Sequence, residues 1–149
     1  MINRVILRGF VADEPFIHAL PNGMMARVRV ATIERVLVKT SGGMREIIEW
    51  HTVFAHGELA HTIDQQVKIG TPIEVEGKLR NRKWSDRKGV QHDTAEVAAD
   101  KLTVLQEIVG YTLPSQIVER MPVVKSNTTK RDKTEPIKAP LSDPDNLPF

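Results

Sequence analysis

The segment His56-Gly57-Glu58-Leu59-Ala60-His61 places two imidazoles and a carboxylate within a few residues of one another. Such groups can hold a metal ion and activate water. Zinc peptidases use H-E-x-x-H, with the glutamate next to the first histidine and the two histidines one helical turn apart. Here Glu58 stands two residues after His56, and the histidines are spaced at five. Zinc deaminases use H-x-E but also need a P-C-x-x-C segment, and this chain has no cysteine. A metal-dependent hydrolase built on His56, Glu58 and His61 is one reading. The other makes His61 and Asp64 a solvated helix face. No G-x-S-x-G elbow, glycine-rich phosphate loop or Ser/His/Asp set accompanies the segment, so the sequence supports no catalytic residue, metal or cofactor.

A second group of residues suits binding. Unpaired nucleic acid offers a charged backbone and bare base faces, so a protein that binds it without sequence preference needs cations and aromatic platforms. Trp84 sits inside the basic run RNRKWSDRKG, and Trp50 lies in EWH. These are the only tryptophans in the chain. A core or interface position is the ordinary place for an indole. Flanked by Arg82, Lys83 and Asp86, Trp84 is better explained by exposure for stacking.

Bulk properties agree with a locally charged binder. The 149 residues carry a net charge of only +2. The charge is concentrated: Lys78, Arg80, Arg82, Lys83, Arg87 and Lys88 crowd one stretch, and such a strip can bind phosphates although the total is near neutral. The lack of cysteine suits a reducing cytoplasm. No apolar run is long enough for a membrane span, and the first residues read as a strand rather than a signal peptide.

The elements that must position these residues follow from hydrophobic period. Val5, Leu7 and Gly9 share one face of a first strand, and Gly9 permits a bend or bulge. Pro21-Asn22-Gly23 is a turn signal between two extended runs. In the run that follows, Val28 and Val30 alternate with Arg27 and Arg29. EIIEWHTVFAH is strand-like. Leu59, Ile63 and Val67 then form a helical stripe that Gly70 can end. Ile73, Val75 and Leu79 begin another strand, Ser85–Gly89 makes a polar hairpin tip, and a last strand lies near Thr94–Leu105. Three strands, one helix and two strands predict an all-β, five-stranded barrel of the OB type, with the helix between the third and fourth strands. An α+β sandwich is the competing architecture. Residues 107–122 are apolar enough to pack, without an evident place. Beyond them the polar, proline-bearing chain predicts disorder. Domain boundaries are therefore expected at 1–106, a largely disordered linker at 107–142, and a tip at 143–149.

NRVIL near the start, EWH in the middle, EGKLRNRKWSD and the closing LPF together resemble the bacterial single-stranded DNA-binding protein family. The likeness covers roughly residues 1–106 and resumes at the tip. It implies an OB-fold, a homotetramer associated with the nucleoid, and no catalysis. It also implies roles in replication, recombination and repair. Trp50 and Trp84 match aromatics that stack on bases; Arg4, Arg80, Arg82 and Lys83 match positions that follow the phosphates. His51 matches a histidine near subunit contacts. Two positions depart from the pattern. Val36 stands where a third stacking tryptophan is expected, and His56 where the family has phenylalanine. Each lost base stack costs about 1–3 kcal/mol, so weaker or differently routed binding is expected. Another OB-fold accessory, primosome-type or RNA-binding, is the alternative within the same fold.

The chain ends in DPDNLPF. Pro144 and Pro148 bar helix and strand from this stretch. Its apolar end must pack on its own domain or be offered to another protein. The resemblance implies the second: Leu147, Pro148 and Phe149 enter a partner's apolar pocket, while Asp143 and Asp145 are drawn to its basic rim. The acidic run is thinner than the family's, interrupted by Ser142, Pro144 and Asn146.

Overall fold

A computed structural model describes residues 1–122. Strands β1 (Val5–Val11), β2 (Phe16–Leu20), β3 (Gly23–Leu37) and β4 (Met44–His56) precede helix α1 (Glu58–Gln66). Strands β5 (Pro72–Ser85) and β6 (Gln91–Val104) follow, then a short helix α2 (Ser115–Val118). One sheet runs in the order β1-β5-β6-β4-β3-β2, and an additional β1–β3 pairing closes it. Five strands thus form the barrel, and β2 extends it as a short hairpin arm on β3. All pairings are antiparallel except β4 with β6, where Val53 faces Val97 and Phe54 faces Ala98. Closure gives the barrel strands partners on both sides.

Strict alternation builds the core. Val28 and Val30 of β3, Val53 and Ala55 of β4, and Ile73 and Val75 of β5 point inward and are fully or almost fully buried. The α1 stripe closes one end of the barrel, with Ala60, Ile63 and Val67 buried against the strands. Burying a side chain such as Ile63 contributes about 1.5–3 kcal/mol.

Gly9 plays a different part from the bend expected of it. It lies within β1, where a Cβ would sit 2.1 Å from the Ala31 carbonyl oxygen. The missing side chain lets β3 cross close to β1 where the barrel closes. The irregularity falls in the β5–β6 pairing instead, where Glu76 and Gly77 face Lys101 and Ala99 and Asp100 of β6 is the extra residue. A Cβ on Gly77 would likewise lie 2.1 Å from the Ala98 carbonyl oxygen.

The folded body continues past residue 106. Ile117 of α2 is fully buried in a second cluster with Phe10, Ala12, Ala31 and Ile69, against which Ile108, Tyr111, Leu113 and Met121 pack. Residues 107–122, given above to the start of the linker, are therefore a strap across the outer face of β1 and β3. That face is apolar at Phe10 and Ala31 and has to be covered. Arg35 helps hold the strap: its Nη2 donates to the Gly110 carbonyl at 2.7 Å, and its guanidinium lies 4.3 Å from the Tyr111 ring centre.

Candidate nucleic-acid interface

Outward residues of β3 and β4 face outward residues of β5 and β6 across a groove. Because β4 alternates, burial of Val53 and Ala55 turns Thr52, Phe54 and His56 outward. On β3, burial of Ala26, Val28 and Val30 turns Arg27 and Arg29 outward. On β5, Arg80, Arg82 and Trp84 share the face that looks into the groove. Two adjoining clefts of about 390 and 400 Å³ result. The first lies between Arg27, Arg29, Thr52 and the Trp84 edge; the second runs to Met25, His56 and Arg80. Phe54, Arg82 and Glu96 line both, so the groove is continuous.

Four guanidiniums border this groove, at Arg27, Arg29, Arg80 and Arg82, against the one carboxylate of Glu96. Arg82 Nη1 lies 3.6 Å from Glu96 Oε1, so the acid orients that guanidinium and offsets one charge. The balance remains cationic and mostly exposed, as backbone tracking requires.

Trp84 is 40% exposed and held in place at two points. Its Nε1 donates to Thr94 Oγ1 at 2.8 Å. One face of the indole stacks on His92, with ring centres 4.4 Å apart and planes 22° from parallel. His92 Nε2 is in turn 2.9 Å from Asp86 Oδ2. The hydrogen bond with His92, together with that from the Val90 amide, holds the Asp86 carboxyl below the usual carboxylate range. Trp84 is thus a fixed, partly exposed ring with His92 on one face and the first cleft beside it.

The remaining expected residues are distributed differently. His56 is exposed at the far lip of the second cleft. Lys83 follows Arg82 by one residue and therefore points to the opposite face of β5. Arg4 also lies elsewhere, its Nε 2.9 Å from Glu76 Oε1 on the β1–β5 face, beside a second pair in which Arg8 Nε meets Glu74 Oε2 at 2.7 Å. Neither cleft is lined by Arg4, Lys83 or Trp50. Trp50 is half-buried where the strap meets β4, with the Arg29 and Arg120 guanidinium carbons 5.7 and 5.2 Å from its ring centre. It joins the groove through Arg29 rather than standing free. His51 turns to the other side of β4, half-buried, with Nε2 2.8 Å from Thr32 Oγ1. Val36 is half-buried near the β3–β4 turn, paired with Arg45. Asp143, Asp145, Leu147, Pro148 and Phe149 lie outside the described residues.

Glu58 and His61 lie on α1, with His61 exposed. Among the described residues no group of three or more His, Asp or Glu side chains is gathered as a metal site would need, and no helix is long and apolar enough to cross a membrane.

Three groove residues escaped the sequence reading, Phe54, Arg27 and Arg29, as did Arg120, whose guanidinium lies over Trp50 outside both clefts. Arg27 and Arg29 were legible as a shared face opposite Val28 and Val30, and Phe54 as an alternate of Val53. Nothing local in the sequence signals Arg120.

Solved structures share this architecture. A Plasmodium falciparum SSB in complex with ssDNA is 23% identical, with a TM-score of 0.66 over 70% of this chain and 96% of that one. A small single-stranded DNA-binding protein from Streptomyces coelicolor is 25% identical, with a TM-score of 0.59 over 71% and 97%. A deletion mutant of the single-stranded DNA binding protein from Thermus aquaticus is 24% identical, with a TM-score of 0.61 over 70% of this chain and 51% of that one. The single-strand binding protein family model matches residues 2–105, which span all six strands and α1. With barrel, groove and family model in agreement, the chain belongs to the single-strand binding protein family.

Proposed function

We propose that this protein binds single-stranded DNA without strong sequence preference, coats and protects it, and presents it to enzymes of replication, recombination and repair. The observation that carries this reading is the groove, where Trp84, Phe54 and His56 alternate with four guanidiniums on one continuous surface. Aromatic faces serve any base, and guanidiniums serve the phosphates common to every sequence. Contacts of these two kinds depend little on which base is present, so the mode is sequence-tolerant. Binding is noncatalytic and needs no cofactor. Residues 143–149 recruit the partner proteins, and the working form is a homotetramer in the nucleoid-bearing cytoplasm.

Titration of the full chain with oligo-dT, followed by tryptophan fluorescence at several salt concentrations, tests this reading. Stacking at Trp84 should quench emission. Affinity should fall with salt at a log–log slope of about −0.7 per phosphate contacted, or about −3 if all four groove guanidiniums engage. Unchanged emission together with a slope near zero would remove the basis of the proposal. A mixed-sequence oligonucleotide of equal length should bind within a few-fold of oligo-dT.

A further inference from the structure

We propose that the nucleic-acid surface extends off the barrel onto the strap, with Arg120 as a phosphate-binding residue beside Trp50. The inference rests on the single-stranded DNA reading above and adds to it a contact outside residues 2–105, the range that the family model matches.

The geometry is specific. Burial of Ile117 fixes the strap to β1 and β3, and Arg120 follows it by three residues. The Arg120 guanidinium then lies over the Trp50 ring together with that of Arg29. Asp13 holds both: Arg29 Nη1 donates to Oδ2 at 3.2 Å, and Arg120 Nη1 donates to Oδ1 at 3.0 Å. A single carboxylate thus bridges two cations. One positive charge is left over, and each guanidinium keeps donors that Asp13 does not use, since the group carries five N–H bonds. Both arginine side chains are more than 40% exposed, so those donors are open to a ligand.

This arrangement suits a phosphodiester. A guanidinium oriented beforehand loses little side-chain freedom when it meets a phosphate, and its fork matches two phosphate oxygens. Arg29 also borders the first cleft, opposite Trp84. Arg120 therefore prolongs the row of groove cations by one step toward Trp50. A strand whose bases occupy the groove would carry its backbone past Arg29 and on to Arg120. The opposite possibility, that Arg120 covers Trp50 and must be pushed aside, predicts the reverse effect of removing it.

The test uses the full chain with Arg120→Ala and Arg120→Lys. Affinity for labelled oligo-dT is measured by anisotropy across a salt series, in the otherwise native protein and in a Trp84→Phe background where Trp50 alone reports. Arg120→Ala should weaken binding about five- to tenfold, as loss of one exposed charge-assisted contact would. It should also make the salt slope shallower by about 0.7. Arg120→Lys should keep the slope while losing part of the affinity. Trp50 emission should respond to DNA in the native-Arg120 protein and respond less in Arg120→Ala. Equal or tighter binding by Arg120→Ala, or an unchanged slope, overturns the proposal. If Arg120→Ala fails to fold, Arg120→Gln carries the same comparison. Absence of salt-dependent binding in the unsubstituted protein would instead strike the underlying single-stranded DNA reading.

Discussion

Phe54 stands at the junction of the two clefts, between the Trp84 edge and His56. In sequence it looks like one more apolar residue of a strand core. Only the inward burial of Val53 and Ala55 decides that it faces out. Its place makes it the proposed base platform of the groove, beside the small ring of His56 and in a chain whose Val36 supplies no π face. Phe54→Ala should raise the dissociation constant for oligo-dT about 5- to 150-fold, the range expected for one base stack at about 1–3 kcal/mol. His56 lies at an exposed lip, so a larger ring can be added there without repacking. His56→Phe should tighten binding several-fold in the same assay, and equal or weaker affinity would refute His56 as a base contact. Lys83 illustrates the limit of reading a charged run as one patch. A strand sends successive side chains to opposite faces, so Arg82 reaches the groove and Lys83 does not. A Lys83→Ala change should cost less affinity than Arg82→Ala in the same titration.

The β5–β6 hairpin carries Trp84, and its tip is organised by one carboxylate. Asp86 Oδ1 accepts from the Lys88 amide at 2.8 Å and the Val90 amide at 3.0 Å, while Oδ2 meets His92. These contacts favour the ionised form, so the folded carboxyl titrates below its ordinary value of 3.8. Its contribution to tip order is fully present above 3.8 and disappears as pH falls through the lowered folded value. Amide exchange should therefore show Lys88 and Val90 still protected near pH 4, with protection lost only in stronger acid. Asp86→Ala should remove it at neutral pH. The strands and α1 were legible because their periods are local and the turn residues mark their ends. The count of elements pointed to a closed barrel, but the register that closes it was not legible, since it depends on pairings far apart in sequence, such as Phe10 with Ala31. Gly9 shows the consequence. A glycine in a strand reads as a bend, yet here it permits contact with a backbone carbonyl some twenty residues on. Gly9→Ala forces a Cβ against that fixed carbonyl and should destabilise the fold by about 1–3 kcal/mol or more, measured by urea unfolding. The strap escaped for a related reason. Its apolar residues have no period of their own, and only the exposed apolar face of β1 and β3 gives them a place.

At the scale of the whole molecule, the chain divides its work between a barrel that holds nucleic acid and a terminus proposed to hold proteins. Charge is distributed accordingly. Residues 1–106 carry 15 Lys and Arg against 13 Asp and Glu, whereas residues 107–149 carry six of each. Several large apolar side chains near the β1–β5 face remain in water, among them Ile2, Ile6 and Leu79. Large exposed apolar groups favour association between copies, which is compatible with the proposed tetramer. Sedimentation equilibrium should then give four times the 16.8 kDa chain mass, and a monomer mass would contradict it. The terminal seven residues admit a sharper separation of roles. The apolar Leu147, Pro148 and Phe149, preceded by Asp143 and Asp145, suit a partner pocket with a basic rim. Deleting residues 143–149 should leave oligo-dT affinity and thermal stability unchanged while abolishing capture of replication and repair proteins. With only two acids in the tip, that capture should weaken only modestly with added salt, because the apolar contact is not screened. If the tip instead packs on its own domain, the same deletion should lower the melting temperature, and the two outcomes are read from one purified variant.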